Sequence, residues 1–436
     1  MSALAVTLQE WETLRPDHGS PLAYRNLGDA DRTLAEQLRH AGCMEVLELA
    51  RGLELRATSY VGRFRLGEIA VTVQPKLPGA PFLNLLRYAY GLRHLSLFSP
   101  VIYESEKYTF QDLIIHQLIS EINELLARGI HREYERVEAD LSSPRGRIEF
   151  SRLASLKYRS RGDLPCIHYP RIEDTILNQL LLSGSSFAAS STANVDLGRH
   201  LDRLTKSLET TVSRKRLTST LLAEGQRSLD RRTPSYQPAL TLIGILFEGK
   251  GISLKGAAAR FLLPGFLFDM NRFFQALISR FLHDYLQGHD IEDEGRIKGL
   301  FSYDSSRNPQ NRQAPVQKPD FVLRTGHRIK AILDAKYRDL WEKPLPREML
   351  YQLSLYALGR RDGEREAVIL YPTLAIEASE QVVRLQEPVS GAFQAEVILR
   401  PVNLLQLEKL LSANEPESSK RKSAFAYHLS FGGVMN

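Results

Sequence analysis

The stretch Gln317-Lys-Pro-Asp-Phe-Val-Leu-Arg-Thr-Gly-His-Arg-Ile-Lys-Ala-Ile-Leu-Asp-Ala-Lys-Tyr-Arg338 decides how this 436-residue chain is read. Phe321 to Leu323 is a short apolar run, Thr325-Gly326 is a turn signal, and Ile329 to Ala335 is a second apolar run. The spacing predicts a β-hairpin. Side chains alternate across a strand, so Ile329, Ala331, Leu333 and Ala335 share one face and Ile332, Asp334 and Lys336 the other. A carboxylate and an ammonium thus point the same way from the end of an apolar strand. Asp320 opens the partner strand within reach of both. Burying such charges is costly unless something compensates them. A divalent cation would, since magnesium takes oxygen ligands, often one or two carboxylates with water and substrate phosphate. Asp320, Asp334 and the backbone carbonyl of Ala335 are the expected metal ligands. Lys336 would orient or activate the attacking water and offset phosphate charge. The competing reading is a surface hairpin with an Asp–Lys pair. The apolar flanks of both strands weigh against it.

The neighbouring segments extend this reading. Leu267 to Leu282 repeats at helical spacing, with Phe273, Phe274, Leu277, Ile278, Phe281 and Leu282 on one face and Asp269 as N-cap. Arg347 to Leu358 reads as a second helix, on which Gln352 and Tyr356, four apart, share a face. Val368-Ile-Leu-Tyr-Pro372 and Phe393 to Leu399 read as buried strands. The order predicts an α/β/α layer domain over 256–412. Residues 1–95 read as a strand-rich N-terminal domain. Its strands are Leu53–Ala57, Tyr60–Leu66 and Ile69–Gln74, and Phe82 to Leu92 follows as a helix. Arg56, Arg63, Arg65 and Lys76 decorate this sheet, more as a solvated face than a binding one. Residues 96–255 read as a mainly helical middle region. Leu197–Thr211 and Arg214–Leu222 look like exposed helices there, and Ser183–Ala193 like a slack helix end. Periodicity leaves Tyr236 to Leu246 open between buried helix and strand. Ser143 to Phe150 is a turn whose Arg145 and Arg147 could touch a phosphate or a partner, or simply enter a strand. Residues 413–436 read as a tail. The expected class is α+β and multidomain.

Composition narrows the function. Hydrophobic content of 43% and charged content of 25% are ordinary for a globular protein. A net charge of +6 permits a polyanionic partner without requiring one. Cys43 and Cys166 alone exclude a disulfide framework and argue against a cysteine-bound cluster. Met1 to Trp11 lacks a basic start followed by an apolar core, and no run of about eighteen apolar residues exists. A cytoplasmic location without membrane contact is expected. The pattern G-x-x-x-x-G-K-[ST] does not occur, so nucleotide hydrolysis would come from a partner.

Pro319-Asp320, Asp334-Ala-Lys336 and the downstream Gln352 and Tyr356 together resemble the PD-(D/E)xK nuclease superfamily. More narrowly, the chain resembles McrC, the nuclease subunit of McrBC-type modification-dependent restriction systems. Tyr60-Val-Gly62, Gln74-Pro-Lys76, Arg145-Gly-Arg147, Phe268-Asp-Met-Asn271, Lys318-Pro-Asp320 and Leu333-Asp-Ala-Lys-Tyr337 carry that resemblance, in that order. It implies a DNA endonuclease using magnesium, with manganese as a substitute, that cuts double-stranded, modified DNA. It also implies a partner, a hexameric McrB-like AAA+ GTPase whose hydrolysis the subunit stimulates. A section of residues 1 to about 250 would dock into that ring, with Arg145 and Arg147 as candidate contacts. Gln352 would hold the active site or the DNA backbone, and Tyr356 would support it. One departure stands out: where many such nucleases carry a Glu on the helix before the hairpin, this chain offers Gln275, with Asp269 nearer the helix start. One-metal chemistry through Asp320 and Asp334 is compatible with that change. Two alternatives stand beside the nuclease subunit: a stand-alone RecB-like repair nuclease, and a non-catalytic adaptor that only activates an AAA+ ring.

Overall fold

A computed structural model of the chain describes residues 4–77, 79–92, 110–153, 163–253, 260–263, 265–297, 299–360, 365–413 and 417–433. Two compact units result: Met1–Ser105 joined to Ile252–Asn436, and Glu106–Gly251. The boundaries expected near 95 and 255 fall outside the described residues. The two ends of the chain, expected as separate domains, share one unit.

The reason is a strand pairing between segments far apart in sequence. β1 (Leu4–Gln9), β2 (Tyr60–Leu66), β3 (Ile69–Gln74) and β4 (Gly265–Asp269) form one sheet in the order β1-β3-β2-β4. β4 runs antiparallel to β2, with Leu267 opposite Gly62. Gly62 has φ +142, and a Cβ there would lie 2.2 Å from the Phe266 carbonyl oxygen. The two backbones therefore approach this closely only with glycine at 62. A helix over Asp29–Ala41 and a three-stranded antiparallel sheet of Thr13–Leu14, Met44–Leu49 and Gly52–Ala57 complete this half. Leu8, Leu38, Leu55, Phe64 and Val71 share one core with Leu267 from β4.

The C-terminal half is built on β5 (Asp290–Asp293), β6 (Phe321–Thr325), β7 (Arg328–Ala335), β8 (Glu366–Thr373), β9 (Gln381–Gln386) and β10 (Phe393–Asn403). They form a six-stranded sheet in the order β5-β6-β7-β8-β10-β9. β6 and β7 are the expected antiparallel hairpin, whereas β7, β8 and β10 run parallel. Parallel central strands are covered on both faces, which is why Val368 to Tyr371 is an unbroken apolar run. α1 (Met270–Tyr285) starts at Asp269, whose carboxylate accepts from the Asn271 N–H at 2.9 Å. Its apolar stripe from Phe273 to Leu282 is fully buried, as its spacing predicts. α2 (Arg347–Leu358) packs Leu353, Tyr356 and Ala357 against Ile332, Ile369 and Val397.

The segment expected as a tail is instead a helix, α3 (Ser418–Phe431), with Phe425, Ala426 and Leu429 buried. Phe425 meets Phe281 of α1 edge-on at 5.8 Å. The charged run Lys420-Arg-Lys422 hid its inner face. Lys422 is itself buried, and its ammonium donates to the Ala413 carbonyl at 3.1 Å.

The other unit is mainly helical, over Phe110–Arg128, Ile176–Ala189, Val195–Leu208, Ser219–Ser228 and Gln237–Lys250. The last of these resolves the open choice in favour of helix. Arg214 to Arg216 are not helical, because Thr218 caps the helix that follows. Nor is the Ser/Ala-rich stretch a slack end. Ser183 and Ser185 are buried and donate to the carbonyls of Gln179 and Leu181. A Cβ on Gly184 would lie 2.5 Å from the Ile243 side chain, so small residues here permit close helix packing. No described helix is long and apolar enough to cross a membrane.

Candidate active site

The hairpin register pairs Phe321 with Leu333, which sets Asp320 beside Asp334. Past the end of β7, the Lys336 N–H donates to the Leu370 carbonyl at 3.0 Å and keeps the chain beside β8. Three expected residues converge as a result. Lys336 Nζ lies 2.9 Å from Asp334 Oδ2 and 3.7 Å from Asp320 Oδ2. The Ala335 N–H donates to Asp320 Oδ2 at 2.7 Å. From α2, Gln352 donates through Nε2 to the Tyr356 hydroxyl at 2.7 Å, and Tyr356 is within electrostatic reach of all three charged groups. From α1, Gln275 donates to Asp320 Oδ1 at 3.2 Å. The amide thus stands where the resemblance anticipates an acid, and it holds the first aspartate in place.

Burial sets the electrostatics. Asp334 is 2% exposed. Burial, and after it the charge of Asp334, push the Asp320 carboxyl well above the usual carboxylate range, and Lys336 and the Ala335 N–H pull it back only in part. Burial alone would lower the Lys336 value, but Asp334 and Asp320 outweigh it and hold the ammonium above its ordinary value. Lys336 is therefore a fixed cation and hydrogen-bond donor at neutral pH, not a free amine. Burial also raises the Tyr356 phenol, so it keeps its proton.

The donor set fits a hard divalent cation. Asp320 and Asp334 lie close enough that the charge of Asp334 adds to burial in raising the Asp320 carboxyl. Two buried acids in that relation mark a place short of positive charge. Their oxygens and the Ala335 carbonyl could hold magnesium, with water and phosphate completing the shell. Among the described residues, no group of three or more His, Cys, Asp or Glu side chains could hold a metal ion.

One neighbour of this centre was not legible in the sequence. Glu10, just past β1, accepts the Tyr337 hydroxyl at 2.9 Å and the Lys76 N–H at 2.8 Å on the same oxygen. Its other oxygen has no hydrogen-bond partner among the described residues. Burial pushes the Glu10 carboxyl up to about 7. Lys343 donates to the Trp11 carbonyl at 2.9 Å, a second tie between this corner and the chain after Lys336. An acid at the end of an alternating strand carries no mark of a partner at position 337. Arg145 and Arg147 belong to the other unit. They are exposed and flank Gly146, whose φ of +71 turns the chain into the short strand Arg147–Ile148. Arg56 pairs with Glu54 and Glu45, and Lys76 with Glu342, as a solvated face would.

Fold and site together define a mixed α/β protein with a buried two-carboxylate, one-lysine centre at the end of a hairpin in its larger sheet. The family model described as McrBC 5-methylcytosine restriction system component matches residues 55–372. The chain belongs to this family. A search of curated proteins finds no match. Among solved structures, a chain of the refined half-complex from a tetradecameric assembly of Thermococcus gammatolerans McrB AAA+ hexamers with bound McrC is similar. It covers 96% of this chain and 98% of that one, at 18% identity and a TM-score of 0.58. A chain of the cryo-EM structure of the Thermococcus gammatolerans McrBC complex is a looser match, covering 64% of this chain and 87% of that one at 17% identity and a TM-score of 0.47. The first likeness extends the shared fold over nearly the whole length of both chains.

Proposed function

We propose that this chain is the endonuclease subunit of a McrBC-type restriction complex, with residues 256–412 as a PD-(D/E)xK nuclease domain that hydrolyses DNA phosphodiester bonds. The convergence of Asp320, Asp334 and Lys336 on one buried point carries this reading. Asp320, Asp334 and the Ala335 carbonyl would hold a magnesium ion. When bound, the ion supplies positive charge to the scissile phosphate and to the leaving oxygen. Lys336, held protonated by the two aspartates, donates a hydrogen bond that aims the attacking water and faces the phosphate oxygens. Gln275 keeps Asp320 oriented, and Gln352 with Tyr356 closes the α2 side. Gln275 brings no negative charge for a second ion, which favours one-metal chemistry.

The partner follows from family membership and from the described assembly of McrB AAA+ hexamers with McrC. This chain would bind such a ring, stimulate its GTPase and cut modified duplex DNA. A non-catalytic adaptor is the second reading, and the observation that favours it is Gln275 in place of an acid. Asp334→Ala decides between them. It is expected to abolish cleavage by the complex in magnesium while leaving GTPase stimulation intact. Unchanged cleavage would exclude the assigned centre, and loss of both activities in a folded variant would exclude the division of labour.

A further inference from the structure

A cleft of about 660 Å³ opens beside the carboxylate centre. We propose that this cleft receives one strand of the DNA flanking the scissile phosphate, an inference that rests on the nuclease reading above. Ile332 and Tyr356 line it, together with Arg324, His327 and Arg360. No acidic side chain is among its described lining residues. Ile332 lies on the same face of β7 as Asp334, two residues away, or about 7 Å at ~3.3 Å per residue. From Ile332 back to the hairpin turn at His327 is about 17 Å on the same rise. The polyanion would lead from the turn to the catalytic aspartates along one side of the hairpin.

The three side chains differ in role. Arg360 is buried and bonded to the Lys330 and Glu366 carbonyls, so it shapes the floor. His327 is exposed at the turn. Arg324 meets Glu292 at 3.3 Å but keeps 28% of its side chain exposed. These two reach the cleft surface, Arg324 from within its pair with Glu292.

The opposite wall supports the same ligand. Ile297 and Leu300 belong to the long connection between β5 and β6, which begins and ends at the first aspartate. The Glu294 N–H donates to the Asp320 carbonyl at 2.8 Å, and Ile297 bridges to Gln317. Leu300 leans on the end of α2, where a Cβ on Gly359 would come within 2.5 Å of it. Long connections with little structure of their own are uncommon in compact domains and are usually functional. Between 294 and 319 the sequence has five basic residues and two acidic ones. Phe301 and Tyr303 on this connection stand 36% and 47% exposed.

The test uses the full-length chain carrying Asp334→Ala, so that DNA is bound and not cut. Fluorescence anisotropy of a labelled duplex is measured across a salt series. Adding Arg324→Gln with His327→Ala is expected to weaken binding about tenfold and to make the log K against log salt slope shallower by about one. His327→Glu alone, at an exposed turn where folding is not at stake, is expected to weaken binding in the same direction, and His327→Lys to strengthen it. Affinities and slopes equal to those of the Asp334→Ala chain would overturn the cleft and leave the nuclease reading standing. Failure of the Asp334→Ala chain to bind duplex, both alone and with the AAA+ partner present, would overturn the cleft.

Discussion

Lys336→Met tests the electrostatic logic of the centre, because it removes the charge and keeps most of the volume. The ammonium is 2.9 Å from Asp334 and 3.7 Å from Asp320, and its side chain is 26% exposed. Breaking a buried ion pair by removing one partner costs about 3–5 kcal/mol. Partial exposure of the lysine places this case at the lower end, about 3 kcal/mol. At about 2 °C per kcal/mol for a chain of this size, the melting midpoint in chelator should fall by about 6 °C. Magnesium or manganese should then raise the variant's midpoint more than the parent's, since the ion replaces the missing charge between the same oxygens. Differential scanning calorimetry with chelator and with each metal reads both effects. DNA cleavage by the complex should be lost under all conditions. A variant that melts with the parent in chelator would refute the compensating role of Lys336. Midpoints that ignore the metals in both proteins would refute the cation site.

Glu10→Gln should stabilise the protein increasingly as pH rises. Burial raises the Glu10 carboxyl to about 7 from 4.5, so the folded state holds this proton more tightly than the unfolded one. The parent therefore loses stability between about pH 4.5 and 7 and no more above it, by a loss on the order of 3 kcal/mol at most. The glutamine has no such loss and can still accept from Tyr337. Melting curves of the two proteins at pH 5 and pH 8 check this, and a gap that narrows with rising pH would contradict it. Gly62→Ala should cost about 2–4 kcal/mol, since the new Cβ meets the Phe266 carbonyl at 2.2 Å and φ is +142. Limited proteolysis should show β4 released from the N-terminal sheet, whereas unchanged protection there would count against the pairing as the tie between the two ends.

The hairpin at 321–335 and the helices around it were legible because each writes its own period into the chain. Alternation over Ile329 to Ala335 put Asp334 and Lys336 on one side, and a 3.6-residue stripe marked Phe273 to Leu282. Those local patterns also supplied Gln352 and Tyr356 as a pair. α3 escaped the same reading because its buried face includes Lys422, so polarity and burial did not coincide. Gln275 could be noticed only as an odd residue in an expected place.

The sequence by itself determined the hairpin, the helices on either side of it and the residue types of the centre. Tertiary structure alone decided that Gln275 holds Asp320, that Glu10 anchors the residue after Lys336, and that β4 joins the two ends of the chain in one sheet. The physical reason is one of range. Periodicity records which face of an element is buried, but not what lies across from it. A buried donor or acceptor must be paired, and its partner can come from anywhere in the chain.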